Sequence, residues 1–225
     1  MKEVLTEVRT EKIGNITLHN MDNMEFMRTV PDKYFDLAIC DPPYGIGQDW
    51  KKRNKGAGYK DTTYKNDSIP DVVYFEEVKR VSKNYIFWGW NYYTEILGPT
   101  NYLICWDKQS AENESFYYSQ FELASTSIRI PANMVSIPWD GYRMGKETGK
   151  KKIHPHQKPI GLYKWLLKNY AKEGDKILDT HLGSGSIAIA CHDYKFELVG
   201  TEIDSDYFNA AVKRLKQHVA QTTLF

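Results

Sequence analysis

The chain predicts an α/β fold, an open sheet flanked by helices. Strand-like apolar runs recur between amphipathic stretches, one run ends in two consecutive prolines, and another runs through a glycine turn into a helix. The runs are Asp36–Cys40, Asn84–Trp88, Tyr102–Trp106, Lys176–Asp179 and Glu197–Thr201. Helical periodicity marks Ile160–Tyr170 and Asp206–Val219. In the first of these, Leu162, Trp165, Leu166, Asn169 and Tyr170 recur at steps of three and four, and Pro159 suits the entry because it has no N–H to leave unpaired. This helix is expected to pack on the sheet. Two stretches break the alternation, Gly45 to about Tyr64 and about Asp107 to Lys152, and both read as loops or insertions on one core.

Length and composition narrow the classes. The 225 residues are 41% hydrophobic and 26% charged, as in an ordinary globular protein, and a single domain over 1–225 is expected. No apolar run approaches the roughly 20 residues of a membrane helix, and MKEVLTEVRTEK is charged where a signal peptide would be apolar. Cys40, Cys105 and Cys191 are an odd number, lie far apart and form no CxxC pair, so neither a disulfide framework nor a zinc site is suggested, no metal is expected and a reducing cytoplasm is. Thirty Lys plus Arg against 29 Asp plus Glu means that any phosphate-binding surface is a local patch.

Asp41-Pro42-Pro43-Tyr44 follows the apolar run FDLAIC. Two prolines cannot continue a central strand, since neither donates to the ladder and each fixes φ, so the backbone leaves the sheet as a stiff turn. The turn offers the Asp41 carboxylate, an unpaired proline carbonyl and the Tyr44 ring at the edge where open α/β sheets bind ligands. Asp41 and the Pro42 carbonyl suit the two hydrogens of an exocyclic amine while Tyr44 stacks on its ring. The plainer alternative is a strand-ending turn with a capping aspartate.

The second motif is Asp179-Thr180-His181-Leu182-Gly183-Ser184-Gly185-Ser186, leading into IAIACHDY. Gly183 and Gly185 allow a ligand close to the backbone, and a helix starting near Ser186 favours an anionic group. About twenty residues on, Glu202 ends the next run, where an acid conventionally accepts ribose hydroxyls. A nucleoside-containing cofactor is implied. Taken alone the motif equally suits a dinucleotide, or a tight turn with a surface acid.

With DPPY in the first third, His154-Pro155-His156-Gln157-Lys158-Pro159 between, and LDTHLGSG followed by GTEID in the last third, the chain resembles the beta class of S-adenosylmethionine-dependent DNA amino-methyltransferases. The resemblance extends to Ile16–Asp22, similar to the opening strand and acid, and to Tyr207. The chain departs from the family pattern at Thr180-His181-Leu182, which bears on the methionine pocket, and at His156, where threonine is usual. The resemblance implies a Rossmann-like, mostly parallel sheet with circularly permuted motif order, and S-adenosylmethionine as cofactor. It implies that Asp41, Pro42, Pro43 and Tyr44 hold a flipped base, and that Asp179, Gly183, Ser184 and Gly185 surround the methionine part with Glu202 on the ribose. Gln157 and Lys158 would border the cofactor's carboxylate, and Asp22 either lies near the adenine or its amine or serves a simple turn. The DPPY form points to adenine N6, whereas serine in the aspartate's place is usual for cytosine N4, and the setting is a solitary or restriction-modification enzyme. Carbon-5 methylation is set aside because no cysteine follows a proline.

Double-stranded DNA is the expected partner. The basic, aromatic stretch 45–64, with Lys51, Lys52, Arg53 and Lys55, is placed to clamp phosphates, or else is a solvated loop; Arg143, Lys146, Lys150, Lys151 and Lys152 form a second patch. Target recognition is expected in 107–152, with Tyr117, Tyr118, Asn133, Trp139, Tyr142 and Arg143 as base readers. Gln221-Thr222-Thr223-Leu224-Phe225 resembles peptides that dock on bacterial sliding clamps, against a frayed helix end; retained clamp affinity without Leu224 and Phe225 would dispose of that partner. Rival functions are the cytosine-N4 enzyme, a catalytically idle nucleic-acid-binding relic of the fold and methylation of a protein glutamine.

Overall fold

The computed structural model describes residues 8–46, 67–108, 119–139, 144–147 and 152–222. Nine strands form one sheet: β1 (Arg9–Ile13), β2 (Ile16–Asn20), β3 (Phe35–Cys40), β4 (Ser82–Trp88), β5 (Leu103–Asp107), β6 (Phe121–Thr126), β7 (Asn133–Ser136), β8 (Lys176–Asp179) and β9 (Glu197–Thr201), ordered β1-β2-β9-β8-β3-β4-β6-β5-β7. β2, β9, β8, β3 and β4 are parallel neighbours; β1 and β6 run the other way. The helices are α1 (Asn23–Arg28), α2 (Val72–Val81), α3 (Thr94–Leu97), α4 (Ile160–Tyr170), α5 (Ser186–Tyr194) and α6 (Ser205–Thr222).

Strand alternation sends Leu37 and Ile39 of β3 to one face and Ala38 and Cys40 to the other. The first face packs under α4, α5 and α6 through Leu162, Leu166, Ile187, Phe208 and Leu215; the second packs under α1 and α2 through Met27, Phe75 and Val78. Cys40 and Cys191 are core residues, and burial pushes the Cys40 thiol up to about 12.

The expected runs are strands within one or two residues, and α4 begins directly after Pro159 as read. Two findings correct the expectation. β1 and β2 form a hairpin whose turn starts at Gly14 with φ +59°, a conformation that side chains disfavour. More consequentially, 107–152 is not a stretch the sheet can do without: β6 pairs with β4 and β5, and β7 extends β5.

The connection from β3 runs to β4 on one side, and the connection from β8 runs to β9 on the other. These neighbouring strands therefore flank a switch point, where diverging loops leave a crevice at the strands' C-terminal ends. Both motifs singled out in the sequence lie there.

Candidate active site

β3 ends at Cys40 and the prolines carry the chain out of the sheet at Asp41. Asp41 Oδ1 accepts the Tyr44 hydroxyl at 2.6 Å, while Oδ2 pairs with Lys158 Nζ at 2.5 Å. The Lys158 side chain, only 4% exposed, also meets Glu122 Oε2 at 3.1 Å, donates to the Tyr44 oxygen at 3.1 Å and lies over the rings of Tyr44 and Trp88. Glu122 completes the cluster by pairing with Lys108 Nζ at 2.6 Å.

Burial alone would lower Lys158, but Asp41 and Glu122 outweigh it and raise it; burial alone would raise Glu122, but Lys158 and Lys108 pull it to about 2. Burial, then the charges of Asp41 and Glu122, drive the Tyr44 hydroxyl well above its usual range. Tyr44 is a neutral donor held by charged neighbours.

Three expectations about this turn change. The proline carbonyls are not unpaired: the Tyr93 hydroxyl lies 2.8 Å from Pro42 O and 2.7 Å from Pro43 O, and its single hydrogen still leaves lone pairs on both. Tyr44 is already stacked, on Tyr92 at 5.0 Å and 14°. Lys158, expected beside the cofactor's carboxylate, lies at the Asp41–Tyr44 turn, where Asp41 and Glu122 of β6 hold its ammonium. Gly89, at φ +78°, makes room for Tyr44, since a Cβ there would lie 2.3 Å from the ring.

Across the crevice, β8 ends at Asp179, 1% exposed. Its Oδ1 accepts the His181 N–H at 2.9 Å, but burial dominates and, with the Asp41 charge, lifts the carboxyl to about 7. Gly183 and Gly185 take φ of +50° and +69°; a Cβ on Gly185 would press on Ala211 at 3.1 Å. Gly185 caps α5 in a left-handed conformation, with no side-chain hydrogen bond to the first turn. Glu202 follows β9 and accepts Gly183 N at 2.8 Å and Asp204 N at 2.9 Å; burial raises its carboxyl. Ser184 is buried with its hydroxyl 3.1 Å from that of Ser186.

His181, the departure from the family pattern, is neutral at ordinary pH, since burial lowers it to about 4. Its Nδ1 lies 3.0 Å from the Thr180 hydroxyl and its Nε2 accepts from Asn23 at 3.2 Å. His154, lowered by burial to about 3, lies against Gly183 and edges Tyr207 at 4.4 Å.

Other expected residues are engaged locally. Asp22 caps α1, its Oδ1 accepting Met24 N at 2.8 Å and Glu25 N at 3.0 Å, which is the turn role. Gln157 is buried and its Oε1 accepts Ile153 N at 3.1 Å. Trp139 is only 7% exposed and Lys152 lies over its ring, so it serves packing rather than base reading. Asn133 lies on β7, its Oδ1 2.9 Å from Met134 N. Lys51, Lys52, Arg53, Lys55, Tyr117, Tyr118, Tyr142, Arg143, Lys150 and Lys151 lie outside the described residues, as do the last three of the clamp-like tail, whose Gln221 and Thr222 end α6. Among the described residues no group of three or more His, Cys, Asp or Glu is placed to hold a metal ion, and no helix is long and apolar enough to cross a membrane.

Two residues escaped the sequence reading. Glu122 sits within a stretch read as insertion. Arg214 of α6 donates to Ser184 O at 3.0 Å and to the Ser186 hydroxyl at 2.9 Å, and pairs with Glu147 at 2.9 Å, so it ties the glycine turn to the segment before α4.

Sequence and fold are both similar to those of known proteins. Residues 82–213 match the N6/N4 methyltransferase model, described as DNA methylase. The chain is 25% identical to the type II methyltransferase M.HpaI of Haemophilus parainfluenzae, over 84% of this chain and 70% of that one. It is 22% identical to M.ScaI of Streptomyces caespitosus, over 90% and 82%. In fold it is similar to the M1.HpyAVI–SAM complex, with a TM-score of 0.59 at 19% identity over 89% of this chain and 100% of that one. It is also similar to the cytosine-N4-specific PvuII DNA methyltransferase, with a TM-score of 0.61 at 12% identity over 93% of each. The family match spans more than half of the sequence, and the chain belongs to the N6/N4 DNA methylase family, the S-adenosylmethionine-dependent DNA amino-methyltransferases.

Proposed function

We propose that this enzyme transfers a methyl group to the N6 amine of an adenine flipped out of duplex DNA. The observation that carries the reading is the Asp41-Pro42-Pro43-Tyr44 turn, with its rigidly held carboxylate, facing the glycine turn across the β3–β8 switch point. The lone pairs that Asp41 and the Pro42 carbonyl retain accept the two amine hydrogens. This directs the nitrogen lone pair away from them and toward the methyl donor.

The residues opposite fit the cofactor. Asp179 is a buried acid raised to about 7 with one N–H partner, a site that a cationic group would relieve. Gly183 and Gly185 supply the left-handed backbone of the turn, and Glu202 ends the strand where a ribose is held. S-adenosylmethionine supplies a methyl already made electrophilic by its sulfonium, and the protein's part is alignment and polarisation of the amine. Gln157, through its amide, and Asp22, through whatever its cap leaves free, border this side. Lys51, Lys52, Arg53, Lys55 and Arg143 would hold DNA phosphates.

Asp41 at the first motif position favours adenine; cytosine N4 is the second reading, since the family includes both and the PvuII enzyme, similar in fold, is cytosine-N4-specific. Incubation with unmethylated genomic DNA and S-adenosylmethionine, digestion to nucleosides and mass spectrometry separates them. N6-methyladenine that disappears in D41A is expected; N4-methylcytosine moves the base assignment; the absence of both products refutes the reading.

A further inference from the structure

We infer that Glu122 is a positioning residue of the catalytic turn, offsetting the Lys158 charge so that Asp41 keeps its strength as an acceptor. This rests on the methyl-transfer reading above. Glu122 comes from β6, far from every motif, yet its two oxygens are both engaged at the turn, Oε2 on Lys158 at 3.1 Å and Oε1 on Lys108 at 2.6 Å, with the Tyr44 hydroxyl 3.3 Å from Oε2. Asp41 and Glu122 together balance Lys108 and Lys158. Without Glu122, a buried ammonium 2.5 Å from Asp41 would have that carboxylate as its one anionic partner.

That imbalance matters for this chemistry. As the amine lone pair forms the N–C bond, the S–C pair stays on sulfur, so a neutral thioether leaves and positive charge arises on nitrogen until one N–H proton passes to solvent. A catalytic turn with net positive charge opposes that development; a neutral one whose carboxylate faces the amine favours it. Glu122 also takes up part of the Lys158 hydrogen-bonding capacity, so that the ammonium is shared between two carboxylates instead of resting on Asp41 alone.

The test compares wild type, E122Q and E122D by three measurements: single-turnover methyl transfer on unmethylated genomic DNA, S-adenosylmethionine affinity by calorimetry without DNA, and acetylation of Lys158 by acetic anhydride followed by mass spectrometry. In E122Q, transfer falls about 10- to 100-fold while cofactor affinity changes less than about twofold and Lys158 is acetylated severalfold faster; E122D recovers part of the rate. A purely structural role would instead lower rate, cofactor affinity and melting temperature together. E122Q within about twofold of wild type in both transfer and acetylation overturns the inference, as does parallel loss of cofactor affinity. Should E122Q not fold, E122D carries the test, with slower transfer and faster acetylation expected at a near-normal melting temperature. A wild-type chain that transfers no methyl group removes the functional reading itself; an active wild type beside an unaffected E122Q removes only the role of Glu122.

Discussion

Asp179 shows how one buried side chain ties folding to ligand binding. Its folded pKa of about 7 lies above the ordinary 3.8, so the folded chain holds a proton that the unfolded chain releases. The contribution is therefore harmless below about pH 4 and increasingly destabilising as pH rises through the folded value. D179N should accordingly be more stable than wild type at pH 8, with the difference fading toward pH 4, in urea titrations without cofactor. A cationic group beside Asp179 would restore the charged form. Binding of S-adenosylmethionine at pH 6 should then release a proton from wild type and none from D179N, seen as a buffer-dependent heat; equal proton release from both would contradict the assignment.

The sequence makes some single residues legible and hides others for a physical reason. Asp41, Tyr44, Gly183, Gly185 and Glu202 announce themselves because prolines and glycines beside apolar runs force particular backbone paths. Lys158 was visible as part of HPHQKP, but its partner was not, since an ion pair between β6 and the turn before α4 leaves no local pattern.

At the level of elements, the central strands and α4 were readable because buried parallel strands are nearly continuous apolar runs and a helix face repeats at three and four. β6 was not. Its sequence FELAST carries the charge of Glu122 at its second position and ends in hydroxyls, so it reads as a break, and β4 and β5 flank it on either side. β7 is short and mostly exposed, with no alternation to detect. α1 is only six residues long and depends on its cap. Asp22→Ala, which leaves two N–H groups without their acceptor, should cost about 1 kcal/mol in urea denaturation; a change near zero would free Asp22 for a role toward the cofactor.

For the whole molecule, function follows from topology more than from any one loop. The strand order reverses at β3 and β8, which opens the crevice, and the Asp41–Tyr44 turn and the glycine turn lie beside it because they follow adjacent parallel strands. With a net charge of +1, attraction for DNA has to come from local basic stretches. Replacing Lys51, Lys52 and Arg53 together by serine should weaken binding of any duplex alike and flatten the dependence of log affinity on log salt by up to about 0.9 per lost phosphate contact. An unchanged slope would mean that the stretch is merely solvated.

The role proposed for Asp41 is to act on the amine rather than on the fold or the cofactor. The most direct measurement is single-turnover transfer of labelled methyl to unmethylated genomic DNA by wild type and D41N, with cofactor affinity measured on both. In D41N, transfer is expected to fall at least about 100-fold with cofactor affinity within a few-fold of wild type. Transfer by D41N at the wild-type rate would contradict it.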